Sequence, residues 1–269
     1  MLSVLMSVYW KEQPEALDAA LESLVAQTVQ PTEVVLVKDG PLGAELDTVI
    51  NRYSSKLPIR VHPLPSNVGL SAALNEGLAI ASQPWIMRFD SDDICVPQRI
   101  EIQQRMAMTG NLDLFGGQIR EFNRLSSDAQ RSRIVPCEHD AIRRQALRRN
   151  PFNHMTVCYR RELVLAAGGY PHIPLMEDYA LWLTLLAEGA RTANCEEVLV
   201  YARTGNGMLA RRGGRRYVQS EWRLQEHMVR LGLKSRLSAV LDGCIRSAVF
   251  ASPTALRGVF YSSLLRSKS

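Results

Sequence analysis

The first forty residues, MLSVLMSVYWKEQPEALDAALESLVAQTVQPTEVVLVKDG (1–40), hold the pattern that decides the fold. Both MLSVLMSVY (1–9) and EVVLVKDG (33–40) are short apolar runs rich in β-branched residues, which is typical of buried strands. The segment between them, PEALDAALESLVAQ (14–27), begins with proline at a favoured first helical position. Its apolar residues share one helical stripe: Leu17, Leu21, Leu24 and Val25. A strand, a helix and a second strand are therefore predicted in that order.

The same alternation continues to about residue 110. The predicted helices are 44–55, 69–82 and 97–110, and the predicted strands are 58–64 and 84–93. Apolar strands separated by helices indicate a parallel sheet that is covered on both faces, with right-handed crossovers. Ligands of such sheets bind at the carboxyl ends of the strands, which directs attention to Tyr9, Asp39 and the acidic tetrad DSDD (90–93).

The remainder of the chain follows a less regular pattern. A strand pair interrupted by Gly116 and Gly117 is predicted at 112–122, followed by a polar surface loop at 120–133 and a basic amphipathic helix at 139–149. A strand at 156–160, helices at 161–170 and 177–190, and a strand at 197–203 come next. The last predicted elements are helices at 217–231, 234–250 and 254–265. We therefore predict one catalytic α/β domain over residues 1–205, followed by a basic helical extension over residues 206–269.

Composition excludes several classes of protein. The 269 residues are 46% hydrophobic and 22% charged, which supports a large core and argues against a disordered tail. The five cysteines are scattered without CxxC spacing, so we expect reduced, buried thiols rather than a zinc site or disulfides. No basic region precedes the first apolar run, and the best apolar window, 248–265, is broken by Pro253 and Arg257. These features predict a cytoplasmic protein.

Charge is distributed unevenly along the chain. Residues 1–202 carry 19 Lys and Arg against 24 Asp and Glu, whereas residues 203–269 carry 13 against 3. A basic C-terminal quarter points to an anionic surface, and the lack of interleaved aromatic residues argues against nucleic acid. Its first apolar stripe consists of Leu224, Met228, Leu231 and Leu233. We expect reversible binding to the inner face of the cell membrane; the alternatives are packing on the catalytic domain or a homodimer contact.

The acidic tetrad is the sharpest chemical feature. Three carboxylates within four residues repel one another, and a divalent cation would neutralise them. Their oxygen atoms suit magnesium or manganese, which complete their coordination shells with water and phosphate. The alternative is an aspartate-rich turn that caps the helix after Pro97.

Other candidates are weaker when taken singly. Asp39, before Gly40, could accept a hydrogen bond from a ligand or simply belong to a turn, and Tyr9 could stack on a base or belong to the core. Glu177 and Asp178 could supply a general base or merely begin a helix. His154 could bind an acceptor or a phosphate, although a lone histidine is more often structural.

The order and spacing of these features resemble glycosyltransferase family 2, the inverting enzymes of the GT-A fold. The matching segments are SVLMSVY (3–9), VVLVKDG (34–40), NVGLSAALNEGLAIAS (67–82), WIMRFDSDDICVPQRIEIQ (85–103), NPFNHMTVCYRRELVLAAGGY (150–170) and MEDYALWL (176–183). The resemblance covers about residues 3–205. It implies a Rossmann-like, mostly parallel sheet flanked by helices, with a nucleotide-sugar half over about 1–110 and an acceptor half over about 111–205.

The resemblance implies roles on the donor side. Ser7 and Tyr9 match positions that line the nucleotide base, and Asp39 matches the carboxylate that reads the uracil NH. Asp90 and Asp92 match the DxD motif. Asp92 would bind Mn²⁺ or Mg²⁺, and Asp90 would face the ribose and the metal shell.

The resemblance also implies roles around the transferred sugar and the acceptor. Asp178 matches the catalytic base of the ED motif, and Asp93 would lie near the donor sugar. Candidates on the acceptor or sugar side are His154, Glu177 and Trp182.

Three departures from the family pattern bear on mechanism. Lys38 replaces the first of two aspartates that often precede the glycine after the second strand. The stretch ARTGNGM (202–208) lacks the histidine that many relatives carry there, which leaves the third metal ligand open. The QxxRW motif of processive synthases is missing, which favours addition of a single sugar.

The implied activity is transfer of one sugar from a nucleotide sugar, with UDP expected, to a hydroxyl of a lipid-linked or oligosaccharide acceptor. The closest likeness is to bacterial enzymes of O-antigen, capsule or exopolysaccharide synthesis. An inactive nucleotide-binding protein and a nucleotidyltransferase are the alternatives. The second would be expected to carry a glycine-rich phosphate loop, and SVYWKEQPE (7–15) is not glycine-rich.

Overall fold

The computed structural model describes residues 1–123, 128–129, 131–204 and 213–252. Its strands are β1 (Leu2–Val8), β2 (Glu33–Lys38), β3 (Ile59–Pro63), β4 (Trp85–Arg88), β5 (Ile94–Cys95), β6 (Leu114–Phe122), β7 (Arg131–Arg133), β8 (Cys158–Arg160) and β9 (Thr192–Arg203). Its helices are α1 (Pro14–Val25), α2 (Ala44–Tyr53), α3 (Leu70–Ile80), α4 (Arg99–Met108), α5 (His139–Ala146), α6 (Arg161–Ala166), α7 (Glu177–Ala187), α8 (Arg215–Arg230) and α9 (Arg236–Ala251). A short 3₁₀ turn, His154–Thr156, precedes β8.

The described strands form one mixed sheet in the order β3-β2-β1-β4-β8-β6-β9-β5, with β7 paired to β6. The first four strands are parallel, as their apolar sequences predict. Beyond β4 the sheet changes character, because β8 runs antiparallel to both β4 and β6. The predicted α/β class is confirmed, and the antiparallel pairs among the described strands are β4 with β8, β8 with β6, β6 with β7, and β5 with β9.

Helices cover both faces of the sheet, so each face has its own apolar core. Helices α1, α2 and α4 pack on one face, and α3, α5, α6, α7 and α8 pack on the other. Gly77 lets α3 lie close to the sheet, because a Cβ atom there would overlap the side chains of Leu5 and Val37. The two-sided burial explains why the central strands β1 and β2 are mostly apolar, whereas the edge strand β3 is partly exposed.

The middle of the chain departs from the sequence-based expectation. Residues 114–122 form one continuous strand rather than an interrupted pair, and its pairing with β9 shifts register at Gly116 and Gln118. A Cβ atom on Gly116 would overlap Asn194, so the glycine allows a close approach of neighbouring strands. The predicted polar loop (120–133) is shorter than expected, since β6 runs to Phe122 and β7 pairs with it.

The basic extension packs on the catalytic core. Leu224 and Met228 on α8 are fully buried in the same apolar cluster as α7. His227 Nε2 lies 2.9 Å from Thr184 Oγ1 on α7. Leu231 and Leu233, the other two residues of the predicted stripe, also pack against this cluster. The stripe therefore packs on the protein core, which was the predicted alternative to membrane contact.

Two parts of the predicted extension lie outside the described residues. They are the helix at 254–265 and the basic pair Arg211 and Arg212. No helix among the residues that the structure describes combines the length and the apolar character needed to cross a membrane.

Candidate active site

The candidate donor residues follow the carboxyl ends of parallel strands. Tyr9 follows β1, Asp39 follows β2, and the acidic tetrad follows β4 after one residue. The register pairs Ser7 with Val37 and Leu5 with Arg88, so these strand ends share one edge of the sheet. The ring of Tyr9 is 42% exposed, which leaves it accessible for stacking.

Asp39 is held by protein groups. Its side chain accepts hydrogen bonds from the backbone N–H of Val68 (2.7 Å) and of Gly69 (3.1 Å), and from Asn67 Nδ2 (2.9 Å). These bonds fix the loop that begins α3. A carboxylate has about four lone-pair sites, so a uracil NH would share an oxygen that already accepts a hydrogen bond.

Within the acidic tetrad, the side chains point to different neighbours. Asp90 forms a 2.5 Å ion pair with the guanidinium of Arg88, which is only 1% exposed. Asp93 is buried and accepts a 2.7 Å hydrogen bond from the backbone N–H of Arg203 on β9. Arg203 Nε also donates to the carbonyl of Asp92. Asp93 was predicted near the donor sugar, but burial turns its carboxyl group toward the protein.

The crowding of carboxylates has a measurable electrostatic consequence. Burial, together with Asp90 and Glu12, raises the pKa of Asp92 to about 7. Burial, followed by Asp90 and Asp92, raises the pKa of Asp93 well above its usual range. Glu12 belongs to this cluster because it accepts a 2.5 Å hydrogen bond from the hydroxyl of Ser91. A cation would relieve the repulsion and return these groups to their ionised forms.

The chemistry of the cluster fits a divalent cation that is held only partly by protein. Asp90 and Asp92 would supply oxygen ligands, and burial, together with the charges of Asp90 and Glu12, raises the pKa of Asp92. Among the described residues, no three His, Cys, Asp or Glu side chains converge as a complete cage. Magnesium and manganese commonly use one or two carboxylates and take the remaining ligands from phosphates and water, so two aspartates are compatible with either ion.

A second carboxylate centre lies at the start of α7. Asn150 Nδ2 donates a 2.7 Å hydrogen bond to Asp178 Oδ2. Burial raises the pKa of Asp178, while the Tyr179 backbone N–H and the Asn150 amide act in the opposite direction. Burial also raises the pKa of Glu177, and its Oε2 has no hydrogen-bond partner among the described residues. A carboxylate with a raised pKa is better suited to accept a proton.

Two predicted acceptor-side residues lie beneath this centre. His154 Nε2 is 3.2 Å from the hydroxyl of Tyr170, and burial followed by Arg88 lowers the pKa of His154 well below its usual range. Trp182 is fully buried. Its ring contacts four others: Phe152, His154, Tyr159 and Tyr170. Trp182 therefore packs within the protein beneath the site, and its place on the acceptor or sugar side stays a prediction.

Arg88 joins the two carboxylate centres. Besides pairing with Asp90, its charge acts against the burial that raises the pKa of Asp93, Glu177 and Asp178, although it does not reverse the shift at any of them. The sequence analysis missed Arg88, although a charged residue inside the apolar strand WIMRF (85–89) was a usable signal. Three further residues were missed because their partners are distant in sequence: Glu12, Asn150 and Arg203.

This arrangement combines an acidic, cation-compatible centre at the strand ends with a second pair of carboxylates at the start of α7. The sequence profile of Glycosyl transferase family 2 matches residues 3–166. The chain belongs to this family and is a glycosyltransferase.

Several characterised and uncharacterised relatives cover nearly the whole chain. An uncharacterized glycosyltransferase of Haemophilus influenzae is 44% identical over 98% of both chains. The amylovoran biosynthesis glycosyltransferase AmsE of Erwinia amylovora is 40% identical over 87% of both. An Escherichia coli enzyme named UDP-Gal:alpha-D-GlcNAc-diphosphoundecaprenol beta-1,3-galactosyltransferase is 36% identical, covering 98% of this chain and 96% of its own.

Solved structures share the fold. A fragment of S. aureus TarS in complex with UDP-GlcNAc superposes with a TM-score of 0.71 at 18% identity, covering 97% of this chain and 75% of that one. The mannosyltransferase PcManGT of Pyrobaculum calidifontis, in complex with GDP-Man and Mn²⁺, gives a TM-score of 0.64 at 14% identity and covers 98% and 79%. These similarities confirm the predicted GT-A architecture.

The charge crowding at Asp92 predicts a stability effect in metal-free protein. Its carboxyl group stays protonated to about pH 7 in the folded chain and to about pH 4 when unfolded, so stability falls as the pH rises between these values. We expect Asp92→Asn to raise Tm by a few degrees at pH 8 in chelator, with a difference that shrinks toward pH 4. Glu45→Gln, at an exposed position on α2, is the control. A pH-independent difference in Tm would contradict this origin.

The hydrogen bond between Asn150 and Asp178 predicts a change in the pH dependence of activity. The Asn150 amide stabilises the ionised carboxylate, so Asn150→Ala should raise the pKa of Asp178 further. We expect the acidic limb of the profile of kcat against pH to move to higher pH. Asn51→Ala, at an exposed position on α2, should leave the profile unchanged. Reduced kcat with an unmoved acidic limb would show that Asn150 acts only on structure.

Proposed function

We propose that this protein is an inverting, metal-dependent hexosyltransferase that moves one sugar from a UDP-sugar to a hydroxyl of a lipid-linked saccharide during bacterial surface polysaccharide synthesis. The observation that carries the proposal is the pair of carboxylate centres joined by Arg88. One centre is suited to a cation and a diphosphate, and the other to deprotonation of an acceptor. The activities for which the Erwinia and Escherichia relatives are named support the polysaccharide and lipid-linked parts of the proposal.

On the donor side, the proposal uses the residues at the strand ends. Tyr9 would stack on the base, Ser7 would line it, and Asp39 would accept a hydrogen bond from the uracil NH. Asp92 would bind Mn²⁺ or Mg²⁺, and Asp90 would face the ribose and the metal shell. When bound, the metal would neutralise charge on the departing diphosphate. TarS structures in complex with UDP and with UDP-GlcNAc support UDP as the nucleotide.

The reaction is a single displacement. The acceptor oxygen forms a bond to the anomeric carbon, the bond from that carbon to the phosphate oxygen breaks, and UDP leaves. Asp178 takes the acceptor proton, and Asn150 orients the carboxylate of Asp178 through its hydrogen bond to Oδ2. Glu177 and His154 remain acceptor-side candidates beside this base. One displacement inverts the anomeric centre, so an α-linked donor gives a β-linked product.

The division of the chain follows from these roles and is itself part of the proposal. Residues 1–205 would carry catalysis, with the nucleotide-sugar half over about 1–110 and the acceptor half over about 111–205. Residues 206–269 would form the basic extension. The alternatives of a catalytically inactive nucleotide-binding protein and of a nucleotidyltransferase both predict no sugar transfer.

A donor panel tests the proposed activity. UDP-galactose, UDP-glucose and UDP-N-acetylglucosamine are incubated with an undecyl diphosphate-linked N-acetylglucosamine acceptor, with manganese and with chelator. We expect manganese-dependent transfer from one donor and a β-linked product. Asp178→Asn should lower kcat by about 10²–10⁴-fold, the usual contribution of a positioned base, with little change in UDP affinity. A large loss of UDP affinity with a modest loss of kcat would move Asp178 to the donor side.

Membrane association forms a second part of the proposal, and α9 supports it. Six exposed apolar residues share one face of this helix: Leu237, Val240, Leu241, Cys244, Ile245 and Ala248. Exposed basic residues occur on α8 and at the start of α9: Arg215, Arg216, Arg223, Arg230 and Arg236. An apolar helical face with basic neighbours is typical of reversible binding to an anionic leaflet, at about 1 kcal/mol for each basic residue near the surface. We therefore propose peripheral association with the inner face of the cell membrane.

Liposome flotation tests this association. The protein should float with vesicles that contain anionic lipid at low salt and be released at high salt. The double variant Leu241→Glu/Ile245→Glu should abolish flotation, because it places two charges on the apolar face of α9. Met108→Glu, at an exposed apolar position on α4, is the control. Flotation that is unchanged in the double variant would exclude this face, and a monodisperse dimer that the variant dissociates would assign the face to a homodimer instead.

A further inference from the structure

A cavity of about 380 Å³ lies between α5, α7 and the turn that joins α8 to α9. Its apolar lining includes four leucines: Leu147, Leu183, Leu186 and Leu233. Leu183 and Leu186 are buried, whereas Leu147 is 36% exposed, so the cavity has an apolar floor and is open to solvent. Its volume falls within the range of small-molecule binding sites.

The α5 wall of the cavity carries charge. Arg143 and Arg144 line it and are exposed, and neither makes an ion pair with any residue that the structure describes. Asp140, one turn earlier, also lines the cavity, which leaves one net positive charge. Guanidinium groups bind phosphate oxygens in paired hydrogen bonds, so this wall is suited to a phosphate or diphosphate. A ligand with a phosphate group and an apolar chain would match both parts of the cavity.

The same two helices hold the proposed catalytic base. Asn150, shortly after α5, donates to Asp178 at the start of α7, and the hydroxyl of Tyr179 donates to the carbonyl of Ala146 on α5. Leu183 and Leu186 follow Asp178 by five and eight residues, which is about 8–12 Å along the helix axis. A sugar and a diphosphate together span a comparable length.

We propose that this cavity binds the diphosphate and the first isoprenoid units of a lipid-linked acceptor, an inference that rests on the proposed function. The acceptor sugar would lie at Asp178, the diphosphate at Arg143 and Arg144, and the chain along the leucines. The far end of the chain would leave beside Leu233, one turn of chain before the exposed Leu237 on the apolar face of α9. The cavity would thus connect the lipid surface with the reacting hydroxyl.

Direct binding of farnesyl diphosphate tests the inference without any sugar transfer. Calorimetric titrations are made on the full chain with saturating UDP and magnesium, so that the nucleotide site is already filled. Wild-type protein should bind farnesyl diphosphate at least about tenfold more tightly than either inorganic diphosphate or farnesol, because only the first ligand engages both the arginines and the leucines. Inorganic diphosphate that binds as tightly as farnesyl diphosphate would overturn the role of the apolar floor.

Variants assign the binding to this cavity. Arg143→Ser/Arg144→Ser should weaken farnesyl diphosphate binding by about tenfold or more, and Leu147→Asp should weaken it through the apolar wall. Arg105→Ser removes an exposed arginine from α4, on the opposite face of the sheet, and should change nothing. Unchanged affinity in both cavity variants would overturn the proposal.

The two proposals can fail separately. Titration with farnesyl diphosphate uses no donor sugar, so its outcome does not depend on transferase activity. A wild-type protein that binds farnesyl diphosphate in this cavity but transfers no sugar from any donor would contradict the proposed function alone. Transfer to the undecyl diphosphate acceptor, with no farnesyl diphosphate bound in the cavity, would overturn the inference alone.

Discussion

The buried ion pair between Arg88 and Asp90 is the interaction on which the rest of the site depends. A guanidinium that is 1% exposed loses nearly all of its hydration, and burial of such a charge is unfavourable unless opposite charges compensate it. Asp90 supplies this compensation through the ion pair, and Asp93 adds to it. The arginine in turn favours the ionised form of Asp178, because its charge lowers the pKa of that carboxyl group against the effect of burial. The charge of Arg88 therefore acts on both carboxylate centres, most strongly on Asp90.

The sheet places these groups because its strands end together. Parallel strands β1, β2 and β4 bring their carboxyl ends to one edge, whereas the antiparallel β8 carries the chain back toward α6 and α7. Helix α7 then places Asp178 in its first turn, where the charge of Arg88 favours the ionised form of the carboxyl group. Its remaining turns pack against α5 and α8, so the helix that carries the proposed base also anchors the C-terminal extension. Catalytic geometry and the packing of the extension share one structural element.

The sequence predicted the donor half better than the acceptor half, for a physical reason. In residues 1–110, each element is local, and its apolar pattern reports burial on both faces of a parallel sheet. From Leu114 onward, β6 pairs with β8 and β9, which are distant in sequence, and its register with β9 shifts around Gly116 and Gln118. The glycine pair at 116–117 suggested an interruption of the strand. The strand nevertheless continues, because neighbouring residues lie so close that a side chain at either glycine would overlap them.

By itself, the sequence determined the α/β class, the order of the first elements, the acidic tetrad and the family, since each depends on local pattern and spacing. Only the tertiary structure decided where the side chains point. It turned Asp93 toward Arg203, buried Trp182 beneath the site, and brought Asn150 to Asp178 across 28 positions of sequence. It also divided the apolar residues of the extension between the core and the exposed face of α9. Periodicity identifies an apolar face, but which face finds a partner depends on the shape and charge of elements that are distant in the chain.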